Sequence, residues 1–448
     1  MTDKAKKEGG LLFTVSYALS YNGGAMLVSA TIASYFSIFM TDTVGIPAAA
    51  ASAIMFVATL WDAVNDPIMG TVCDRTNTRW GRYRPYFLFF PPLYAIVAML
   101  LFANPQGLST GAKIAYTAVI YICWGMLFTI LTMPWNAILP ASIKDTNERN
   151  RIVQISGMCM AASFTVASSF TTNFVAFFGG SYVPLMGIYG VICIVMYWLL
   201  FKSSEERYLP EKKEQRSVKE DLKALVKHRE LFTVIIVWMM SALGYGLMFG
   251  ASVYYIMYYI VRPDLISSYM LVVSLGALFS MMVLMGAMLK MFKGSVVKAF
   301  QVSQGITLVC FVLLFFFGKY NIPFLYVLTF IATGFGAMEQ AMINILVNDT
   351  CDYVLLMDGM ALNGTIAAIK GFAQKCGNTL SNSGILAVLA MTGYVAGAVG
   401  QQPESALFGI NFLRFGIPAI TCVIIILCLS VYPISKHYDE IREMHEKM

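Results

Sequence analysis

Long apolar segments separated by short polar ones constrain the fold of this chain more than any other feature. A helix needs about 20 mostly apolar residues to cross the hydrocarbon core of a bilayer. Hydrophobic residues make up 58% of the 448 residues and charged residues only 12%, whereas soluble domains carry about 25% charged residues. The sequence therefore predicts an all-α membrane protein. We expect twelve transmembrane helices, near residues 11–40, 47–73, 86–103, 112–141, 152–178, 183–202, 231–260, 267–290, 296–318, 323–348, 362–392 and 404–433.

The twelve predicted helices fall into two groups of six, separated by a hydrophilic segment that carries both signs of charge. We expect a six-helix bundle over residues 1–202, a central cytoplasmic loop over 203–230, a second bundle over 231–435 and a cytoplasmic tail over 436–448. Two six-helix bundles around a midplane cavity form the major facilitator fold. The loop has apolar residues on one side after Ser217, which is typical of a short amphipathic surface helix.

The distribution of basic residues predicts the orientation of the chain. If both termini are cytoplasmic, the inside segments hold 25 of the 31 Lys and Arg residues, as the positive-inside rule requires. The net charge of +6 thus reflects topology, and we expect no nucleic-acid partner. The nine cysteines lie in or at the ends of the spans without a CxxC pair, so neither a metal site nor a disulfide framework is indicated. These features predict a multi-pass protein of the cell membrane.

Two acids interrupt the second apolar span. Asp62 and Asp66 lie one turn apart on one helix face, and Asn65 joins that face. An unpaired carboxylate inside a bilayer costs at least about 2.5 kcal/mol. Oxygen ligands grouped in this way are what a hard cation requires. The pattern predicts a transporter whose work is coupled to a cation.

A short signature follows at the end of the same span. It has the form GxxxDRxxxRxGR and comprises Gly70, Asp74, Arg75, Arg79, Gly81 and Arg82. In a tight turn these charged side chains can pair with helix ends and with one another. We therefore predict that Asp74, Arg75, Arg79 and Arg82 act as a cytoplasmic gate that is closed in one state of the transport cycle. Orientation by positive charge alone is the alternative interpretation.

The segment from Trp61 to Tyr86 resembles the glycoside–pentoside–hexuronide:cation symporter family. The resemblance extends along the chain through MTDTVG from Met40, GMLFTILTMPWNAILP from Gly125, NDTCDY from Asn348 and KGFAQKCG from Lys370. It implies a major facilitator fold and symport of a sugar with a cation. In that family the paired acids of the second span bind the cation, aided by the intervening Asn and a Thr of the fourth span.

The cation ligands of the family have counterparts here. Carried over by position they are Asp62, Asn65, Asp66 and Thr129. We expect Na⁺ as the coupling ion, with Li⁺ or H⁺ as alternatives, and no other metal or cofactor.

The sugar site departs from the family pattern, in which a galactosyl group is held by acids of the first and fourth spans and an Arg of the fifth. Here the first span has no acid between Leu11 and Thr41, the fourth-span acid position is Thr132, and the fifth-span position falls near Gly157. Aromatic faces, amides and the family's eleventh-span lysine remain as candidates, although aromatic residues also fill membrane cores. The substrate-binding candidates are Tyr21, Asn22, Thr132, Trp135, Asn136, Lys375 and Asn378.

These features together predict a monomeric symporter that imports a small sugar with a cation by alternating access. Without the two acids, the cavity is biased by Lys375 toward anions, which favours a hexuronide. If Asp62 or Asp66 neutralises Lys375, the pocket suits neutral glycosides instead. The rival interpretations are carriage of a lysolipid or another amphiphile, H⁺ coupling, a membrane sensor and a membrane enzyme, although no catalytic motif is present.

Glu339 in the tenth span has Lys370, Lys375 and Arg414 as possible partners.

Overall fold

The computed structural model describes residues 10–208, 229–292, 295–358 and 363–432. The chain divides into two compact units, Met1–Lys213 and Glu214–Met448. The predicted amphipathic helix of the central loop and the predicted C-terminal tail lie outside the described residues. The described residues are helical apart from turns and one isolated bridge between Thr78 and Gly81.

The first unit contains six long helices. They are α1 (Leu11–Phe36), α2 (Ala48–Arg75), α3 (Arg84–Leu101), α4 (Thr110–Ser142), α5 (Thr146–Phe177) and α6 (Val183–Ser203). Two of these helices have a side-chain N-cap. The Ser109 hydroxyl accepts a hydrogen bond from the Ala112 N–H at the start of α4, and the Asp145 carboxylate accepts one from the Asn147 N–H at the start of α5. α1 is not regular, since Ser20–Ala25 and Ile32–Phe36 are π-helical.

The described part of the second unit also contains six helical spans. They are α7 (Arg229–Tyr254), α8 (Pro263–Met291), α9 (Val296–Phe317), α10 (Ile322–Ala337 and Glu339–Asp358), α11 (Asn363–Met391) and α12 (Glu404–Ser430). The sequence predicts one continuous helix near 323–348, whereas α10 is interrupted at Met338, whose φ and ψ stay helical at −60° and −25°. The core at one end of this unit includes Trp238, Phe300, Met342 and Ile425.

Eleven of the described helical segments are long and apolar enough to cross a membrane. The remaining one, α11, is 29 residues long but carries Lys370, Lys375 and Asn378 and is not among the eleven. Polar residues in a span are tolerated where they face the interior of a bundle or an aqueous cavity. The twelve predicted spans thus correspond to twelve described helices.

The loop between α2 and α3 is held by Glu206, which follows α6. The Glu206 Oε1 atom accepts hydrogen bonds from the backbone N–H groups of Tyr83 and Arg84 at 2.7 and 3.1 Å, and Oε2 accepts one from Arg82 at 2.7 Å. These bonds satisfy amide groups at the start of α3. Gly81 makes the approach possible, since its φ is +106° and an added Cβ would lie 2.6 Å from Glu206 Oε1.

We expect Glu206→Ala to destabilise the first unit by about 2–3 kcal/mol, because three backbone N–H groups lose a charged acceptor. Glu205→Ala is the matched control, since the Glu205 carboxylate pairs only with exposed Arg207 at 2.6 Å. The midpoint of thermal unfolding of the purified protein measures both effects. Equal midpoints for the two variants would show that Glu206 does not hold the loop.

Candidate cation and substrate site

The acids of α2 face α4 near the middle of both helices. The Thr129 hydroxyl donates a hydrogen bond to Asp66 Oδ1 at 3.0 Å, and the Asp62 carboxylate lies against Gly125, one turn earlier on α4. Residue numbers increase in the same direction on both helices, from the pair Asp62–Gly125 to the pair Asp66–Thr129, so α2 and α4 run parallel here. The structure thereby brings together the predicted ligands Asp62, Asp66 and Thr129.

The close approach of Asp62 depends on Gly125. An ideal Cβ at Gly125 would lie 2.7 Å from Asp62 Oδ1, which is shorter than a carbon–oxygen contact allows. A side chain at this position would push the carboxylate away from α4. The sequence prediction did not include Gly125, because a glycine offers no ligand and its role becomes visible only when the facing helix is known.

Asn65, the fourth predicted ligand, is buried beside the two acids with 7% of its surface exposed. Its side-chain Nδ2 makes no hydrogen bond with any described residue. A rotation of 180° about the last side-chain bond exchanges the amide nitrogen and oxygen, so this position can offer either a donor or an oxygen ligand. An unsatisfied buried amide is costly, and a ligand bound at Asn65 would remove that cost.

A second face of α4 carries a continuous row of aromatic rings shared with α1. In order of contact the row comprises Tyr17, Trp135, Tyr21, Phe128, Trp124 and Tyr121, with ring centroids 4.5–5.7 Å apart. The Trp135 Nε1–H donates to the Tyr17 carbonyl at 3.0 Å. Trp135 is buried within this aromatic row, whereas Tyr21 and Phe128 are half-buried. Trp124 is half-buried as well, so the accessible ring surface lies at Tyr21, Phe128 and Trp124.

The other substrate candidates of the first unit occupy different surroundings. The Asn22 Nδ2 donates to the carbonyl and hydroxyl oxygens of Ser156 on α5 at 3.1 and 2.6 Å, while Asn22 Oδ1 is buried without a partner among the described residues. The Thr132 hydroxyl donates to the Phe128 carbonyl at 2.7 Å, and Asn136 is exposed. Asn22 thus joins α1 to α5, and only its oxygen remains available for a ligand.

The candidates of the second unit lie on α11. Lys375 is half-buried and Asn378, less than one turn later, is exposed. Lys370, earlier on the same helix, donates to Asn344 Oδ1 at 2.5 Å and lies 4.4 Å from the centre of the Trp238 ring. Lys370 is thus held by an amide and an aromatic ring.

The predicted gate residues border the loop that Glu206 holds. Arg75 ends α2, the Arg79 guanidinium lies 4.1 Å from the centre of the Trp80 ring, and Arg82 contributes its backbone N–H to Glu206. Within the part of the chain that the structure describes, none of these three arginines forms an ion pair. The side chain of Asp74 lies outside the described set. The gate remains a prediction.

Two buried ionisable residues of the second unit have specific surroundings. The Glu339 carboxylate accepts a hydrogen bond from Gln304 Nε2 on α9 at 3.0 Å, so an amide takes the place of the predicted basic partners. Arg414 is fully buried, and its guanidinium carbon lies 4.6 and 5.6 Å from the centres of the Phe415 and Tyr269 rings. The sequence could not predict that Gln304 contacts Glu339 or that these rings contact Arg414, because these partners lie on other helices or form no motif.

Comparison with known proteins identifies the family. Residues 20–436 match the sequence profile of the family described as MFS/sugar transport protein. The chain belongs to this family. It is accordingly a transporter rather than an enzyme, with the major facilitator fold and a multi-pass location in the cell membrane. The predicted fold class and the family resemblance are confirmed.

Relatives of the transporter carry sugars. The isoprimeverose transporter of Lactiplantibacillus pentosus is 26% identical over 94% of this chain and 88% of its own. The glucuronide carrier protein homolog of Escherichia coli (strain K12) is 25% identical over 90% and 88%. Other relatives of similar identity are described as symporters, and sugar symport is thus the activity of this transporter at the level of class.

A solved structure shows the same fold. A bacterial homologue of the human lysosomal transporter Spinster, in an inward-facing and occupied conformation, superposes with a TM-score of 0.65. The match covers 96% of this chain and 97% of that chain at 12% identity. At that identity the likeness concerns the fold alone.

We expect Gly125→Ala to weaken cation binding at least about tenfold, because the added Cβ displaces the Asp62 carboxylate from α4. Gly111→Ala on the same helix is the matched control, since a Cβ there meets nothing within 4 Å. Equilibrium binding of ²²Na⁺ to the purified variants measures the effect. Unchanged affinity in Gly125→Ala would remove Asp62 from the set of ligands.

Proposed function

We propose that the transporter imports a glycoside or a sugar acid, with hexuronides preferred, together with Na⁺. The ion binds at Asp62, Asn65, Asp66 and Thr129. The observation that carries this proposal is the 3.0 Å hydrogen bond from the Thr129 hydroxyl to Asp66, which joins the acids of α2 to an oxygen of α4. Li⁺ and H⁺ are the alternative coupling ions.

The electrostatics of α2 support a cation at this place. Asp62 and Asp66 point to one face a single turn apart, and two like charges at that separation repel each other strongly where solvent is scarce. A monovalent cation between them offsets this repulsion. Carboxylate, amide and hydroxyl oxygens are suitable ligands for a hard ion such as Na⁺. Asn65 supplies a buried amide whose nitrogen has no partner among the described residues and which can turn its oxygen toward the ion.

The position of α4 suggests how the ion and the sugar are coupled. One face of α4 meets the acids of α2 through Gly125 and Thr129, and the neighbouring face carries Phe128 and Trp135 of the aromatic row. An ion that fixes the first face also restricts the position of the second. Each solute then raises the affinity for the other, which is the thermodynamic meaning of coupling.

Each unit by itself offers a feature that suits a sugar acid. Sugars present C–H faces that stack on aromatic rings, and the half-buried rings of Tyr21 and Phe128 offer such a surface. Lys375 supplies a cation on α11, and a carboxylate of a hexuronide would pair with it. A similarity to the glucuronide carrier protein homolog agrees with this preference, and the similar isoprimeverose transporter keeps neutral glycosides within the substrate range.

We expect Asp66→Asn to abolish Na⁺-driven accumulation of substrate in proteoliposomes while exchange of substrate across the membrane survives. The substitution replaces the carboxylate with a neutral amide, which removes the negative charge that offsets the free-energy cost of dehydrating Na⁺. Asp42→Asn is the control, because Asp42 lies in the π-helical turn Phe39–Val44, outside the proposed ligand set. It should accumulate substrate at the wild-type level.

Accumulation by Asp66→Asn against a Na⁺ gradient would show that the ion binds elsewhere. Uptake by the unmodified transporter that follows a pH gradient and ignores Na⁺ would assign the coupling to H⁺ instead. Either result contradicts the Na⁺ site.

We expect glucuronides to bind more tightly than xylosides, glucosides and galactosides in the presence of Na⁺, by about tenfold or more, since one charge-assisted bond contributes roughly 1.5–3 kcal/mol. Lys375→Gln should remove this preference. Lys370→Gln is the control, because Lys370 is held by Asn344 and Trp238. Tight Na⁺-dependent binding of melibiose with no response to any uronide would refute the acidic-sugar assignment.

A further inference from the structure

The second unit contains a small cavity between α7, α9, α10 and α12. Its volume is about 30 Å³, which is room for one or two particles of the size of water and far too little for a sugar. Five polar residues are among those that line it, namely Tyr245, Gln304, Thr307, Glu339 and Thr421. This cavity lies within one unit and shares no residue with the candidate site on α2 and α4.

Glu339 lies beside the interruption of α10. The first part of α10 ends at Ala337 and the second begins at Glu339, and Glu339 is among the residues that line the cavity. Interrupted helices commonly form the ion sites of transporters. Glu339 is 8% exposed and accepts a hydrogen bond from an uncharged amide, Gln304.

Two of the three hydroxyl groups that line the cavity, those of Thr307 and Thr421, are oriented as acceptors. The Thr307 hydroxyl donates its hydrogen to the Ser303 carbonyl at 2.9 Å, and the Thr421 hydroxyl donates to the Pro418 carbonyl at 2.8 Å. Each of these two oxygens therefore has only lone pairs left to offer. The Gln304 amide directs one N–H to Glu339, and the Gln304 oxygen is a further acceptor.

The cavity thus presents one carboxyl group and several oxygen lone pairs. Among the described residues that line it, none is Lys or Arg. An ionised carboxylate in such surroundings is costly unless a positive charge compensates it, and a bound cation supplies that charge. From this arrangement we infer that the cavity binds one monovalent cation of the size of Na⁺, with Glu339, Gln304, Thr307 and Thr421 as ligands. The single carboxylate matches a single positive charge, and the volume suits an ion with one water molecule.

Equilibrium binding of ²²Na⁺ to the purified full-length transporter, in detergent and without sugar, tests this inference. The wild type should bind one more Na⁺ per chain than Glu339→Gln does. If the site on α2 also binds Na⁺, the stoichiometry is two for the wild type and one for either Glu339→Gln or Asp66→Asn. If that first site takes only H⁺, the wild type binds one Na⁺, Asp66→Asn still binds one, and Glu339→Gln binds none. The two sites are therefore judged separately.

A pair of threonine variants provides an independent measurement. Thr421→Val removes a lining oxygen without a change of shape and should weaken the second site about tenfold, as loss of one bond to a charged group does. Thr333→Val is the matched control, since Thr333 is equally buried and donates to the Thr329 carbonyl but does not line the cavity. This comparison decides the question even if Glu339→Gln does not fold. Wild-type stoichiometry in a folded Glu339→Gln, or equal affinities in the two threonine variants, would overturn the inference.

Discussion

Two carboxylates halfway along one transmembrane helix are the constraint on which the first unit depends. Each costs at least about 2.5 kcal/mol in an apolar surrounding unless it is compensated, and the helix that faces them must accept their volume as well as their charge. α4 does both, because Gly125 leaves room for Asp62 and the Thr129 hydroxyl donates to Asp66. The register between α2 and α4 is thus fixed by polar contacts as well as by apolar packing.

α4 connects this polar contact to the aromatic row. Gly125 and Thr129 occupy one face, and Phe128 and Trp135 occupy the next, where they meet Tyr21 of α1. A helix is stiff over such distances, so a displacement of α4 at Asp62 or Asp66 also displaces the aromatic rings on its neighbouring face. After the C-terminal end of α2, the loop to α3 is anchored by Glu206, which fixes that end of the acid-bearing helix within the same unit. The proposed coupling of ion and sugar rests on this connectivity.

The sequence predicted the acids and most of the fold, since apolar length and a four-residue spacing are local signals. Thr129 followed from the family resemblance, and the structure places it at Asp66. Gly125 could not be predicted because it contributes only the space left by a missing side chain. Glu206 could not be predicted because its partners lie more than a hundred residues earlier in the chain. The break at Met338 carries no proline and lies within a hydrophobic stretch, so hydropathy could not reveal it. Contacts between distant segments, rather than composition, determine the roles of Gly125 and Glu206.

The proposed cation site lies between the acids of α2 and the hydroxyl of Thr129. Anomalous scattering from crystals of the transporter grown with Tl⁺, a heavy monovalent cation, locates such an ion directly. We expect a Tl⁺ peak within direct coordination distance of Asp66 and Thr129 that disappears when excess Na⁺ is added. No peak at these residues, or one that Na⁺ does not displace, would show that these residues do not form a Na⁺ site.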